Sequence, residues 1–329
     1  MDKMSVVLNK QDMRLSLDGK ALRIDSPGAG LQRIPLGMVS QVVVYGNPEV
    51  GCNVWRKLAE YGIPSLLLPA RGKGEGAWIT PGSSTAVMVR ISQFKAWSDP
   101  ETCKKAAAWA IRGKFMAMQE MASRLERDCA FIKTSLERLE IATSIDEIRG
   151  IEGNAAREWF AFMAGLLSKE WKFSGRNRRP PKDPVNALLS LGYTLMGGEV
   201  RKAVLARGLD TGIGFLHTPY PGRDSLVLDI MEPLRPGVDA FALALAADRL
   251  SPGDFTTGKQ EGCRLSKTAR GIFYGAWEDF KANWPFGAGN SPENEEDGVP
   301  PDLYRTAKAH TNRFIQSWET DRDGNRVKV

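Results

Sequence analysis

The sequence predicts an α+β protein of more than one domain, with a small β-rich N-terminal domain and a larger all-α domain. Three observations predict it. Short alternating or β-branched segments fill the first 90 residues. At Ser98-Asp99-Pro100 the composition changes to long stretches rich in Ala, Met, Glu, Lys and Arg. From Pro285 to Asp302 the chain is rich in Gly, Pro, Asn and Glu and reads as a flexible connector. The expected boundaries are 1–92, 98–284 and 285–329, the last holding the connector, a helix and a tail. A chain of 329 residues has room for about two domains of roughly 100–200 residues each.

The expected strands are Ser5 to Leu8, Met13 to Leu17, Ala21 to Asp25, Leu31 to Leu36 and Val39 to Tyr45, separated by turn signals such as Asp18-Gly19 and Ser26-Pro27-Gly28. A helix from Val50 to Tyr61, ended by Gly62, precedes a strand from Pro64 to Leu68. The loop Arg71-Gly-Lys-Gly-Glu-Gly lacks the spacing and context of a phosphate-binding motif and reads as a hairpin tip. Asp99 before Pro100 starts the first long helix. Ser144 with Glu147 has capping-box spacing, and Asp183-Pro184 opens a helix from Val185 to Arg207 that Gly208 terminates. An amphipathic helix is expected from Leu303 to Trp318, followed by a frayed tail.

Composition excludes some classes. No apolar stretch approaches the ~18 residues that a membrane helix requires, and the N-terminus lacks an apolar signal region, so a cytoplasmic protein is expected. Four scattered cysteines without a CxxC pair give neither a zinc site nor a disulfide framework. A net charge of +6 permits a polyanionic partner without requiring one.

The segment GFLHTPYPGRDSLVLDIMEPLRP holds His217, one of two histidines, ahead of an apolar run broken by Asp229 and Glu232. The two acids are three apart and share a face if the segment is helical, although Pro233 complicates that helix. Burying both requires compensation, either a divalent cation or an arginine such as Arg223 or Arg235. Glu152, at the start of IEGNAAREWF, has an ordinary explanation in the helix dipole, and His217 one in structural hydrogen bonding.

Three ordered segments, IEGNAAREWF, NRRPPKDPVNALLSLGYTLM and GLDTGIGFLHTPYPGRDSLVLDIMEPLRP, closely resemble the CRISPR-associated integrase family, whose members catalyse spacer acquisition. GCRLSKTARGIFYGAWE resembles that family's C-terminal part. The resemblance implies a β-rich domain that dimerises and an all-α catalytic domain. It implies Glu152, His217 and Glu232 as catalytic metal ligands, with Asp229 a nearby acid counted in the same metal set. Mg²⁺ or Mn²⁺ is the implied cofactor, since hard oxygen ligands with one imidazole suit these ions. The implied activity is endonuclease and integrase chemistry, a duplex 3′-hydroxyl attacking a phosphodiester of the CRISPR repeat. The implied partners are double-stranded DNA, a second copy of the chain, and the small second-numbered CRISPR-associated protein in a heterohexamer.

Arg176, Arg178, Arg179 and Lys182 lie in the loop SGRNRRPPKDP, and with Arg223 they are the candidate phosphate contacts. Asn186 and Tyr193, seven apart on the following helix, are candidate supporting residues. Competing readings are a transposase-like or repair nuclease on branched DNA, and a non-catalytic DNA-binding scaffold.

Overall fold

The structure is a computed structural model describing residues 4–8, 12–26, 30–45, 47–68, 77–79, 87–177, 180–258, 262–285 and 302–319. The chain divides into two compact units, Met1–Val87 and Met88–Val329, each with its own core.

The first unit contains β1 (Met4–Leu8), β2 (Arg14–Asp18), β3 (Ala21–Ser26), β4 (Gly30–Pro35), β5 (Val39–Tyr45), β6 (Glu49–Val50), α1 (Cys52–Glu60), β7 (Ser65–Leu68) and β8 (Ala77–Ile79). One sheet runs β4-β3-β2-β6, antiparallel except where β6 joins β2. The other runs β1-β5-β7-β8, parallel except for β7 and β8. Period-two alternation buries Val6 and Leu8, Leu22 and Ile24, and Val42 and Val44, and α1 adds Val54 and Leu58 one turn apart. The tip Arg71-Gly-Lys-Gly-Glu-Gly lies outside the described residues, between strands that pair antiparallel.

The second unit contains α2 (Val87–Ser98), α3 (Pro100–Arg124), α4 (Ala130–Glu140), α5 (Ile145–Leu166), α6 (Pro184–Ala206), α7 (Ser225–Met231), α8 (Arg235–Asp248), β9 (Phe255–Gly258), β10 (Gly262–Leu265), α9 (Lys267–Ala282) and α10 (Leu303–Glu319). Side chains cap the long helices as the sequence requires. Asp99 accepts from the Thr102 amide at 2.9 Å, Ser144 from the Glu147 amide at 3.2 Å and Asp183 from the Asn186 amide at 2.9 Å. Each such cap stabilises its helix by about 1 kcal/mol.

One expected boundary differs from the fold. The helical unit begins near residue 88 rather than 98, because α2 precedes Asp99. That helix inverts the usual pattern: Gln93 is buried while Met88, Ile91, Phe94 and Trp97 are exposed, so its sequence gives no amphipathic signal. The unit is helical as expected, with one addition, the antiparallel hairpin of β9 and β10. The helix at the end of the chain is docked: α10 buries Leu303, Ala307, Phe314 and Ile315 in the same core as α3, α6 and α7. No helix among the described residues is long and apolar enough to cross a membrane.

Pro233 shapes the segment that follows α7. Without an N–H to continue the ladder, Glu232–Leu234 tighten into a 3₁₀ turn before α8 begins. The turn lies against α3 at Gly113, where an added Cβ would stand 2.9 Å from Pro233 Cγ. This close approach sets the next residue of α3, Lys114, beside Glu232.

Candidate metal centre and the loop carrying His217

Glu152 on α5 and Glu232 in the 3₁₀ turn converge on a single cation, Lys114. Its Nζ donates to Glu152 Oε1 at 2.5 Å and to Glu232 Oε2 at 2.8 Å. The second oxygen of Glu232 accepts from Arg235 Nε at 2.7 Å. The Glu232 side chain is 5% exposed and that of Lys114 7%, whereas Glu152 keeps 26% and opens to solvent. Burial pushes the Glu232 carboxyl upward, but the charges of Arg235 and Lys114 outweigh it and hold the group well below the usual carboxylate range. For Lys114 and Arg235 burial pulls the other way and is likewise outweighed: Glu232, joined by Glu152, holds both above their ordinary values.

Asp229 does not share that cation. Wholly buried, it gives both oxygens to the loop before α7: Oδ2 accepts from the amides of Phe215 at 2.5 Å and Leu216 at 3.1 Å, and Oδ1 from the amide of His217 at 2.9 Å. His217 Nδ1 stands 2.7 Å from the same Oδ1. A carboxylate accepting at Nδ1 selects the tautomer with its proton there and leaves Nε2 a lone pair. Asp229 and Glu232 therefore face different partners, as the break at Pro233 allows.

The His217 loop is held from three further sides. Arg149, one turn before Glu152 on α5, forks onto the Leu216 carbonyl at 2.9 and 2.6 Å and reaches Thr218 Oγ1 at 2.8 Å. Gln93 on α2 donates to the carbonyls of Asp210 and Ile213 and accepts from the Asp210 amide. Phe215 stacks on Trp318 of α10 at 4.7 Å and meets Phe314 edge-on. Gly214 lies at the tightest point, where an added Cβ would come 2.6 Å from the His217 carbonyl and 2.7 Å from Ser225. Gly214→Ala is expected to cost about 1–3 kcal/mol in urea unfolding, since fixed backbone must move; an unchanged midpoint would refute that packing.

The supporting residues divide. Tyr193 donates to Asp239, and Arg235 lies 5.0 Å over its ring, so Tyr193 stands behind the Arg235–Glu232 pair. Asp239 also accepts from Trp159 Nε1 at 2.8 Å, tying α5, α6 and α8 together. Burial raises the Asp239 carboxyl against those two hydrogen bonds, and burial with the Asp239 charge raises the Tyr193 phenol. Asn186 spends its amide elsewhere, accepting from Arg176 at 2.8 Å and the Asn177 amide at 2.9 Å and donating to the Gly175 carbonyl and Asp183.

Arg176 differs from the expectation of a flexible cation. It is pinned to Asn186 and to Ser190 Oγ and lies 5.4 Å over the Tyr193 ring. Lys182 is exposed, while Arg178 and Arg179 lie outside the described residues. Arg223 is exposed yet folded back, donating to the Thr218 carbonyl and to Ser225 Oγ.

The residues fit a divalent ion by donor chemistry: two hard carboxylates already meet on one cation, and an imidazole is oriented through its other nitrogen. Among the described residues no three acidic, histidine or cysteine side chains are already gathered to hold one. Lys114 is the residue sequence reasoning missed. It sits at a stripe position of α3, where Ala107, Ala110, Ile111, Phe115 and Met118 are all buried, and a charge in such a stripe is the signal.

Comparison with known proteins gives one answer. The family model described as CRISPR associated protein Cas1 matches residues 6–279. A CRISPR-associated endonuclease Cas1 of Rhodospirillum rubrum is 34% identical over 299 residues, covering 84% of this chain and 86% of that protein. Among solved structures, a Cas1 protein from Thermotoga maritima superposes with a TM-score of 0.81 at 21% identity, covering 99% of this chain and 100% of the other. A casposase bound to integration product superposes at 0.75 and 23% identity, covering 96% and 91%. At those identities the two structures establish a shared fold, while the family match and the Rhodospirillum relative establish descent: the chain belongs to the Cas1 family of CRISPR-associated proteins.

Proposed function

We propose that this chain is a metal-dependent DNA endonuclease and integrase that joins the 3′-hydroxyls of short DNA duplexes to repeat phosphodiesters of a CRISPR array. The observation that carries the reading is the convergence of Glu152 and Glu232 on one cation, beside which stands the orientation of a histidine by a buried carboxylate. Glu152, His217 and Glu232 hold Mg²⁺ or Mn²⁺, and Asp229 orients His217. A bound divalent ion supplies Lewis acidity at a phosphodiester and stabilises the leaving oxygen.

The chain's own groups do the rest. Arg235 keeps Glu232 ionised and fixed, and Asp229 keeps the His217 proton on Nδ1. DNA approaches from the side of Glu152 and His217, whose side chains retain 26% and 29% exposure, because Glu232 and Asp229 are closed to solvent. Arg178, Arg179, Lys182 and Arg223 contact phosphates, and Arg176 with Asn186 holds the chain at Gly175 and Asn177 ahead of Lys182. The N-terminal unit joins two copies of the chain, and two such dimers assemble on the small second-numbered CRISPR-associated protein.

Strand transfer tests the reading. Purified protein, with and without that partner, is incubated with a 3′-hydroxyl duplex and a repeat-bearing plasmid in Mg²⁺ or Mn²⁺. Joined product is expected, and it should vanish with EDTA, a blocked 3′ end, Glu152→Gln or His217→Ala. Cleavage without joining would leave a nuclease acting on branched DNA, and no metal-dependent product would leave a scaffold.

A further inference from the structure

The charge inside the candidate centre is already balanced. Glu152 and Glu232 face Lys114 and Arg235, two acids against two bases, in a pocket whose innermost members are nearly closed to water. Lys114 is the one charged member of an otherwise apolar stripe, and its ammonium occupies Glu152 Oε1 and Glu232 Oε2. A divalent ion added to this set would leave a double positive charge in low dielectric, an arrangement that anions must relieve. DNA phosphodiesters are those anions.

We propose that Lys114 is a positioning residue that holds Glu152 and Glu232 together without metal, and that a divalent ion must displace its ammonium, which turns to a DNA phosphate as the ion enters. The inference rests on the reading of Glu152 and Glu232 as metal ligands. The exchange breaks no covalent bond: the ammonium keeps its protons and trades two carboxylate contacts for phosphate. The exit lies on the side of Glu152, the more exposed of the two acids, and four methylenes give the side chain its reach. Arg235 stays behind, stacked over Tyr193, and keeps Glu232 in place while Lys114 moves. Metal binding and DNA binding are thereby coupled, each favouring the other.

Mn²⁺ titration calorimetry on the full chain without DNA tests this, comparing wild type with Lys114→Met, Lys114→Gln and Glu152→Gln. Both lysine variants are expected to bind Mn²⁺ at least about fivefold tighter than wild type, the lower end of ordinary site coupling. The gain should disappear when a 3′-hydroxyl duplex is present. Lys114→Met should also melt lower without metal and recover when Mn²⁺ is added, a pattern that a merely structural ion pair does not produce. If Lys114→Met does not fold, Lys114→Gln, which retains a hydrogen-bond donor, gives the same reading. Wild-type binding that is lost in Glu152→Gln yet unchanged or weakened in both lysine variants overturns the inference alone. Equal binding by wild type and Glu152→Gln overturns the ligand assignment, and the inference with it.

Discussion

Asp229→Asn is expected to lower the unfolding free energy by about 2–3 kcal/mol, the scale of charge-assisted hydrogen bonds lost in a buried site. DNA strand transfer should fall by about 10–100-fold, the usual consequence of losing a group that orients a metal ligand. The substitution changes almost no volume and retains one acceptor oxygen. In the wild type each carboxylate oxygen serves two donors, Phe215 and Leu216 amides on one and the His217 amide and Nδ1 on the other. An asparagine therefore turns NH₂ toward one of these pairs, setting donor against donor. If it faces His217, the ring answers by moving its proton to Nε2, and the lone pair is lost where it is needed. Urea unfolding and strand transfer measured on one preparation check both halves. Wild-type activity in a destabilised Asp229→Asn protein would show that His217 needs no such partner.

Glu232→Ala should have the larger effect on stability. It leaves Lys114 and Arg235 buried without their shared acid, and removing one member of a buried ion pair costs about 3–5 kcal/mol. Glu152→Gln removes the same charge from a more exposed position and should cost no more than about 1 kcal/mol. Both variants should lose strand transfer, so the contrast separates burial from chemistry. Similar unfolding midpoints for the two would contradict the difference in their surroundings.

The elements most legible in the sequence were those governed by neighbours along the chain. Alternation in the first unit and the caps at Asp99, Ser144 and Asp183 are local, and the structure has them where the residues place them. Helix α2 was not legible, because its polar Gln93 turns inward to bind a loop more than a hundred residues away. Lys114 was not legible as part of the site for the same reason: Glu232, its partner, is 118 positions distant. The acids at 229 and 232 looked equivalent at a spacing of three. The turn at Pro233, and three successive loop amides that point at Asp229, give them different surroundings.

Arg149 and Glu152 stand one turn apart on α5, one gripping the loop of His217 and the other offering a carboxylate. Under the proposed assignment, helix pitch acts as the gauge of the metal centre: acid and imidazole are measured from the same rod. A change in the length or charge of the loops on either side leaves that spacing where the helix sets it.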